Sequence, residues 1–206
     1  MEMRFKPQDH ADRKKGTVVK LLEVLVPTYI QMLKALSTWL DKAATQMPDG
    51  AAEVLLSARL SPDMFPLSTQ IRFACVQAQE GVFRLQGQSF PASLEELLNE
   101  GRNAAECPGS IADAQARIGE TVAIVEAVAS SALDINPATP IAHALPMGMV
   151  FDLTAEQYAR DWALPQFYFH VMTAYAILRA ERVALGKSDY VAHMFAYLRP
   201  DTIPTH

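Results

Sequence analysis

An all-α fold built on four long helices is what this sequence predicts, and three observations predict it. Four segments place apolar side chains at i, i+3, i+4 and i+7, the repeat of one helical face. Proline, glycine or a Ser/Thr capping sequence brackets most of them. The composition, 50% hydrophobic and 20% charged over 206 residues, is globular and supplies enough apolar material for one core. Long amphipathic segments joined by short elements specify a four-helix bundle.

Residues 1–16 are polar and charged and read as a tail, 17–198 as one helical-bundle domain, and 199–206 as a second tail. Thr17 to Val26 is strongly apolar and suits either a lead-in helix or an extended arm. Pro27 fits the first turn of the first long helix, where its missing N–H has no partner to lose. That helix should run to about Met47, with Tyr29, Met32, Leu33, Leu36, Leu40 and Ala43 on its inner face, and Pro48-Asp49-Gly50 ends it. A short helical segment, Ala51 to Arg59, leads to Ser61-Pro62-Asp63. Asp63 is placed to cap the second long helix, which tolerates Pro66 in its first turn. Leu67, Ile71, Ala74, Cys75, Ala78, Val82 and Leu85 line that helix, with Arg72, Gln79 and Arg84 elsewhere.

Ser93-Leu-Glu-Glu96 reads as a capping box opening a short helix, and Gly101 to Gly109 as a loop. The third long helix starts at Ser110 and continues to about Ser131, burying Ile111, Ala114, Ile118, Val122, Val125 and Ala129. Pro137, Pro140, Pro146 and Gly148 then break the pattern, and Ile141–Leu145 can pair with Met149–Leu153 as a small hairpin near 141–153. Thr154-Ala-Glu-Gln157 is a second capping box. Its helix meets Pro165, which either kinks it or marks a fresh start at Leu164. The fourth long helix extends to about Val183 and stops at Gly186, and Ser188 to Leu198 can form one short helix.

The formal charge of -5 and a pI near 5.5 exclude the electrostatic footprint of a nucleic-acid or anionic-membrane binder, since the only basic run is Arg13-Lys14-Lys15. Charges such as Lys34, Asp41 and Arg72 interrupt every apolar segment before a membrane span is reached. The N-terminal residues lack the apolar run of a secretory signal, so a cytoplasmic protein is expected. Two cysteines, Cys75 on an apolar helix face and Cys107 in a loop, fit reduced thiols. A mean hydropathy of +0.05 suggests additional apolar surface buried between subunits, hence a homodimer.

GxGxxG, P-loop, CxxC, HExxH and GxSxG signatures are all absent. Among five histidines only His170 falls on a bundle helix, within the face of Ala163, Phe167, Val171, Ala174, Ile177 and Leu178. It is either a hydrogen-bonded core residue or part of a site inside the bundle. The residue one turn earlier is Gln166, a neutral and weak ligand, so the pair is poor for zinc or nickel. Asp63 and Gln70 bracket the start of the second helix, Asp63 as a routine cap and Gln70 as a solvated side chain. Phe167, Tyr168, Phe169 and Tyr175 form an aromatic cluster that suits packing, with the Tyr175 hydroxyl needing a partner if buried. Trp39 and Trp162 suit either core or interface.

Three segments, Tyr29-Ile-Gln-Met-Leu-Lys-Ala-Leu-Ser-Thr-Trp-Leu-Asp-Lys-Ala43, Ala58-Arg-Leu-Ser-Pro-Asp-Met-Phe-Pro-Leu67 and Leu164-Pro-Gln-Phe-Tyr-Phe-His-Val-Met-Thr-Ala-Tyr-Ala-Ile-Leu-Arg179, resemble a bacterial family of unknown function in the DinB/YfiT-like superfamily. Leu185-Gly-Lys-Ser-Asp-Tyr190 extends the resemblance, which spans about Val26 to Tyr190 and diverges between Gln88 and Asn136. It implies a DinB-like four-helix bundle, often dimeric. Many members of that superfamily bind a divalent metal through one histidine on the second helix and an HxxxH pair on the last, and some are thiol-dependent transferases or isomerases. His170 resembles the second histidine of the pair, Gln166 stands at the first, and Gln70 is the nearest polar residue on the second helix. The resemblance thus implies a degenerate metal position. A small-molecule pocket of His170, Gln166, Gln70, Asp63 and Tyr175 is the leading expectation, with a metal-dependent transferase or a non-enzymatic interaction dimer as alternatives.

Overall fold

The second long helix, α2 (Leu67–Leu85), is buried on almost every side. A computed structural model, describing residues 20–47, 50–130, 134–199 and 202, packs it against α6 (Leu164–Ala180), α4 (Ile111–Ser130) and α3 (Ala92–Asn103), while α1 (Leu21–Gln46) lies against α4 and α6. The expected bundle is therefore present, with α3 added to its side. The residues expected on the inner face of α2 are buried, and so, contrary to the expectation from periodicity, are Arg72 and Gln79, 4% and 3% exposed. Arg72 Nη1 donates to the Ser68 carbonyl at 3.2 Å and its Nε lies 3.7 Å from Glu100. Gln79 Nε2 donates to Thr121 on α4 at 2.9 Å. Ser68 and Thr69 donate to the carbonyls of Ala104 and Gly101 at the end of α3, at 3.2 and 2.9 Å.

Helix α1 begins at Leu21, so Pro27 sits inside it rather than in its first turn. Leu22 and Leu25 are both buried, and their burial outweighs the one backbone bond that Pro27 cannot make. Residues 17–19 and the expected N-terminal tail lie outside the described residues. Helix α2 starts at Leu67 with Pro66 preceding it, and Asp63 bonds Ser61 in the turn before instead of capping. Helix α3 likewise begins at Ala92 after Pro91, which leaves Ser93 inside the first turn and the expected capping box unformed. The box at Thr154 does form: Gln157 N–H donates to Thr154 Oγ1 at 3.2 Å and Thr154 N–H to Gln157 Oε1 at 2.9 Å. Ser110 caps α4 in the same manner, exchanging bonds of 3.0 and 2.8 Å with Asp113.

The hairpin pairs β1 (Pro140–Ala144) with β2 (Val150–Thr154) antiparallel, with Ile141 opposite Leu153 and His143 opposite Phe151. Its turn needs Gly148, whose φ of +84° a side chain would disfavour. Helix α5 (Ala155–Gln157) continues through a π turn, Tyr158–Ala163, into α6 without a break. Leu164 N–H reaches back five residues to the Ala159 carbonyl, and Pro165 falls in the first turn of α6 where it interrupts nothing further. Helix α6 ends at Ala180, before the expected Val183, because Arg182 turns left-handed at φ 66° and Val183 N–H folds back to the Leu178 carbonyl at 3.0 Å. The expected last helix is divided into α7 (Lys187–Tyr190) and a 3-10 segment, Ala192–Tyr197. Lys42 reaches Asp189 at 2.6 Å and Trp39 Nε1 donates to the Asp189 carbonyl at 3.3 Å, fastening this region to α1.

Gly81 allows α1 and α2 their close approach, since a Cβ there would lie 2.5 Å from the Tyr29 hydroxyl. Gly81→Ala is expected to destabilise the fold by about 1–3 kcal/mol in urea unfolding despite its better helix propensity. Tyr29→Phe removes both the clashing atom and a buried hydroxyl without a partner. It should be near neutral alone and recover most of the Gly81→Ala loss in the double variant.

Candidate functional site

His170 and Gln70 meet across the α2–α6 contact. His170 is 9% exposed, Gln70 only 2%, and His170 Nδ1 lies 2.9 Å from Gln70 Oε1. Gln70 is therefore not the solvated side chain that the approximate helical register suggested. Its amide orientation is set by a second bond, Nε2 donating to the Phe65 carbonyl at 3.2 Å. With the amide nitrogen so committed, Oε1 faces the imidazole and can only accept, so Nδ1 carries the proton and Nε2 holds the lone pair. Among the described residues Nε2 has no hydrogen-bond partner. The ring is packed edge-to-face against Phe73 and Phe169, each at 5.3 Å between centroids. Burial lowers the His170 pKa to about 4, so the neutral Nδ1–H form prevails at neutral pH.

The other expected residues are distributed differently. Gln166 lies one turn before His170 on α6 and is half-buried. Asp63 is exposed, and its bond to Ser61 holds its carboxyl below the ordinary range. Tyr175 packs edge-to-face against Trp39 and Tyr190, at 5.2 and 6.1 Å between centroids, on the side of α6 that meets α1 and α7. Phe167 is fully buried against Tyr29, whereas Phe169 is 57% exposed, so the expected aromatic cluster is divided between core and surface. Trp39 is core.

The donor set does not fit the divalent metal that the resemblance implied. Gln70 Oε1 is occupied by the Nδ1–H of His170, and glutamine is a weak neutral ligand in any case. Among the described residues no group of three or more His, Cys, Asp or Glu side chains could hold a metal ion.

One residue that sequence reasoning passed over is His143, assigned to a proline-rich connection. It shares the inward face of β1 with Ile141, and is 3% exposed. The signal was the two-residue spacing of Ile141 and His143 within the short strand.

Because the unfolded chain binds a proton on His170 near pH 6.5 and the folded chain only near 4, stability falls as pH falls through that window and is unaffected above it. The loss attributable to His170 is about 3 kcal/mol by pH 4. Urea unfolding at pH 7 and 4.5 should show a markedly smaller acid loss in His170→Phe. At pH 7, Gln70→Leu should cost about 1–3 kcal/mol, since it leaves the Nδ1–H buried without an acceptor.

No helix among the described residues is long and apolar enough to cross a membrane. The profile of a family described as Domain of unknown function (DUF1993) matches residues 21–191. A crystal structure of a DinB family member protein from Shewanella denitrificans is similar, with a TM-score of 0.65 and 30% sequence identity, covering 89% of this chain and 96% of that one. No curated protein matches the chain. The helical bundle, its added hairpin and the family match over nearly all of it agree: this chain belongs to the DUF1993 family and has a DinB-like fold.

Proposed function

We propose that this protein binds a small molecule on a DinB-like bundle, at a site where a hydrogen-bonded Gln70–His170 pair stands in place of a metal centre. The observation that carries this reading is the 2.9 Å contact of His170 Nδ1 with Gln70 Oε1, from which the tautomer of the ring is assigned. Gln70 and the Phe65 carbonyl together orient the ring so that its unprotonated Nε2 is the free end, ready to accept a hydrogen bond from a ligand N–H or O–H. Half-buried Gln166, one turn away, supplies a second polar contact, and Phe65 and Phe169, 50% and 57% exposed, supply apolar surface beside it. Two free cysteines, Cys75 and Cys107, support a reducing cytoplasm as the place of action.

A homodimer is supported by the exposure of Phe169 and Met172, one turn apart on α6. Phe169→Glu with Met172→Glu is expected to halve the mass found by light scattering, and an unchanged mass would move the interface elsewhere.

A thermal-shift screen of hydrogen-bond-donor fragments should yield compounds that stabilise the wild type and not His170→Phe. Zinc, nickel and manganese should leave the melting temperature unchanged. Stoichiometric metal in chelator-free preparations, or an absence of hits dependent on His170, would reject the reading.

A further inference from the structure

A second concentration of unused polar groups lies along α2 from Gln70. Arg84 is fourteen residues further on, about 21 Å at the rise of an α-helix. There the C-terminal half of α2, the start of α3, the hairpin and the π turn enclose a cavity of about 540 Å³, within the size range of small-molecule sites. His143 and Trp162 line it, with their rings 4.3 Å apart. Neither ring nitrogen of His143 has a hydrogen-bond partner, and Trp162 Nε1 and Arg84 Nε are also buried without one. Behind His143, at 5.5 Å between centroids, lies the buried Tyr158 ring, over which the Arg84 guanidinium sits.

Buried polar groups in folded proteins are nearly always satisfied, and each one left unpaired costs about 1–3 kcal/mol. Four such atoms belong to three residues that line one cavity, Arg84, His143 and Trp162, which gives a polar ligand partners there. Their chemistry is lopsided. The indole N–H and the guanidinium Nε–H can only donate. Arg84 carries a full charge, is stacked over Phe90 at 5.0 Å and Tyr158 at 5.7 Å, and makes no ion pair among the described residues. Burial, aided by the Arg84 charge, lowers the His143 pKa and keeps that ring neutral, able to give one hydrogen bond and take another. Glu80 also lines the cavity, where burial raises its pKa against the opposing charges of Arg84 and Arg102, and Arg102 and Glu95 line it as well. Phe90, Leu94, Leu98 and Pro146 supply the apolar part of the lining.

We propose that this cavity binds a small carboxylic acid with an apolar body, its carboxylate held by Arg84 and the Trp162 indole N–H and its body lying against Phe90, Leu98 and Pro146. The site uses no residue of the Gln70–His170 pair and stands independently of the function proposed for it.

Two indole N–H signals report on binding in a 15N-labelled sample, because the chain has two tryptophans and Trp162→Phe identifies its own. Phenylacetate is the probe and phenylacetamide its uncharged counterpart. Titration with phenylacetate should move the Trp162 signal saturably and leave that of Trp39, already bonded to Asp189, in place. The amide should bind at least about 10-fold more weakly, the loss expected for one charge-assisted contact. Arg84→Met, checked for an intact fold by circular dichroism, should abolish the shift, while His170→Phe should retain it. No movement of the Trp162 signal up to about 10 mM phenylacetate, equal binding of the amide, or full binding in folded Arg84→Met would each overturn the proposal. The amide comparison, made on the wild type, decides the matter even if Arg84→Met does not fold.

Discussion

Burial of α2 on nearly every side is the constraint from which the rest of the architecture follows. A helix so enclosed keeps only a narrow, partly exposed stripe, so its fully buried polar residues must find partners in the interior. Ser68 and Thr69 take carbonyls at the end of α3, Gln79 takes Thr121 of α4, and Gln70 takes His170 of α6. Apolar packing alone would let the neighbours slide by a turn at modest cost, whereas these bonds are directional and each is satisfied at one register only. The polar residues of α2 thereby act as four fixed points, and the aliphatic core fills the space between them.

At the centre of the α2–α6 contact stands a neutral hydrogen bond, His170 to Gln70, which contributes only about 1 kcal/mol. Packing has to supply the rest. Tyr29 lies edge-on to Phe167 at 4.7 Å, and Phe73 lies against both His170 and Phe65. The imidazole is accordingly held as an uncharged member of an aromatic group, and its low proton affinity is a consequence of that company.

The four long helices, the hairpin and the cap at Thr154 were legible because each has a local cause: a repeat of apolar positions, a cluster of turn residues, or a reciprocal pair of side chains three residues apart. His170 was legible as a buried polar residue for the same reason. Gln70, Arg72 and Gln79 were misplaced because periodicity assigns polar residues to water, and only the tertiary arrangement shows that their sides of α2 are covered by α3, α4 and α6. Pro27 misled in the opposite sense. Its local preference for a helix start gave way to the burial of Leu22 and Leu25 ahead of it. The neighbours of His143 were beyond reach, since Trp162 and Tyr158 come to it from the π turn and Arg84 from α2.

The π turn at Tyr158–Ala163 divides one continuous helix into two halves that are out of phase. An α-helix advances about 100° per residue, so the wider turn offsets the later residues in azimuth from the earlier ones. Tyr158 and Trp162 consequently face the hairpin while His170, on the same rod, faces α2. The two regions can differ in sequence without disturbing each other, and because the π turn holds one residue more than an α turn, loss of one within it would leave a regular helix with both halves still in place.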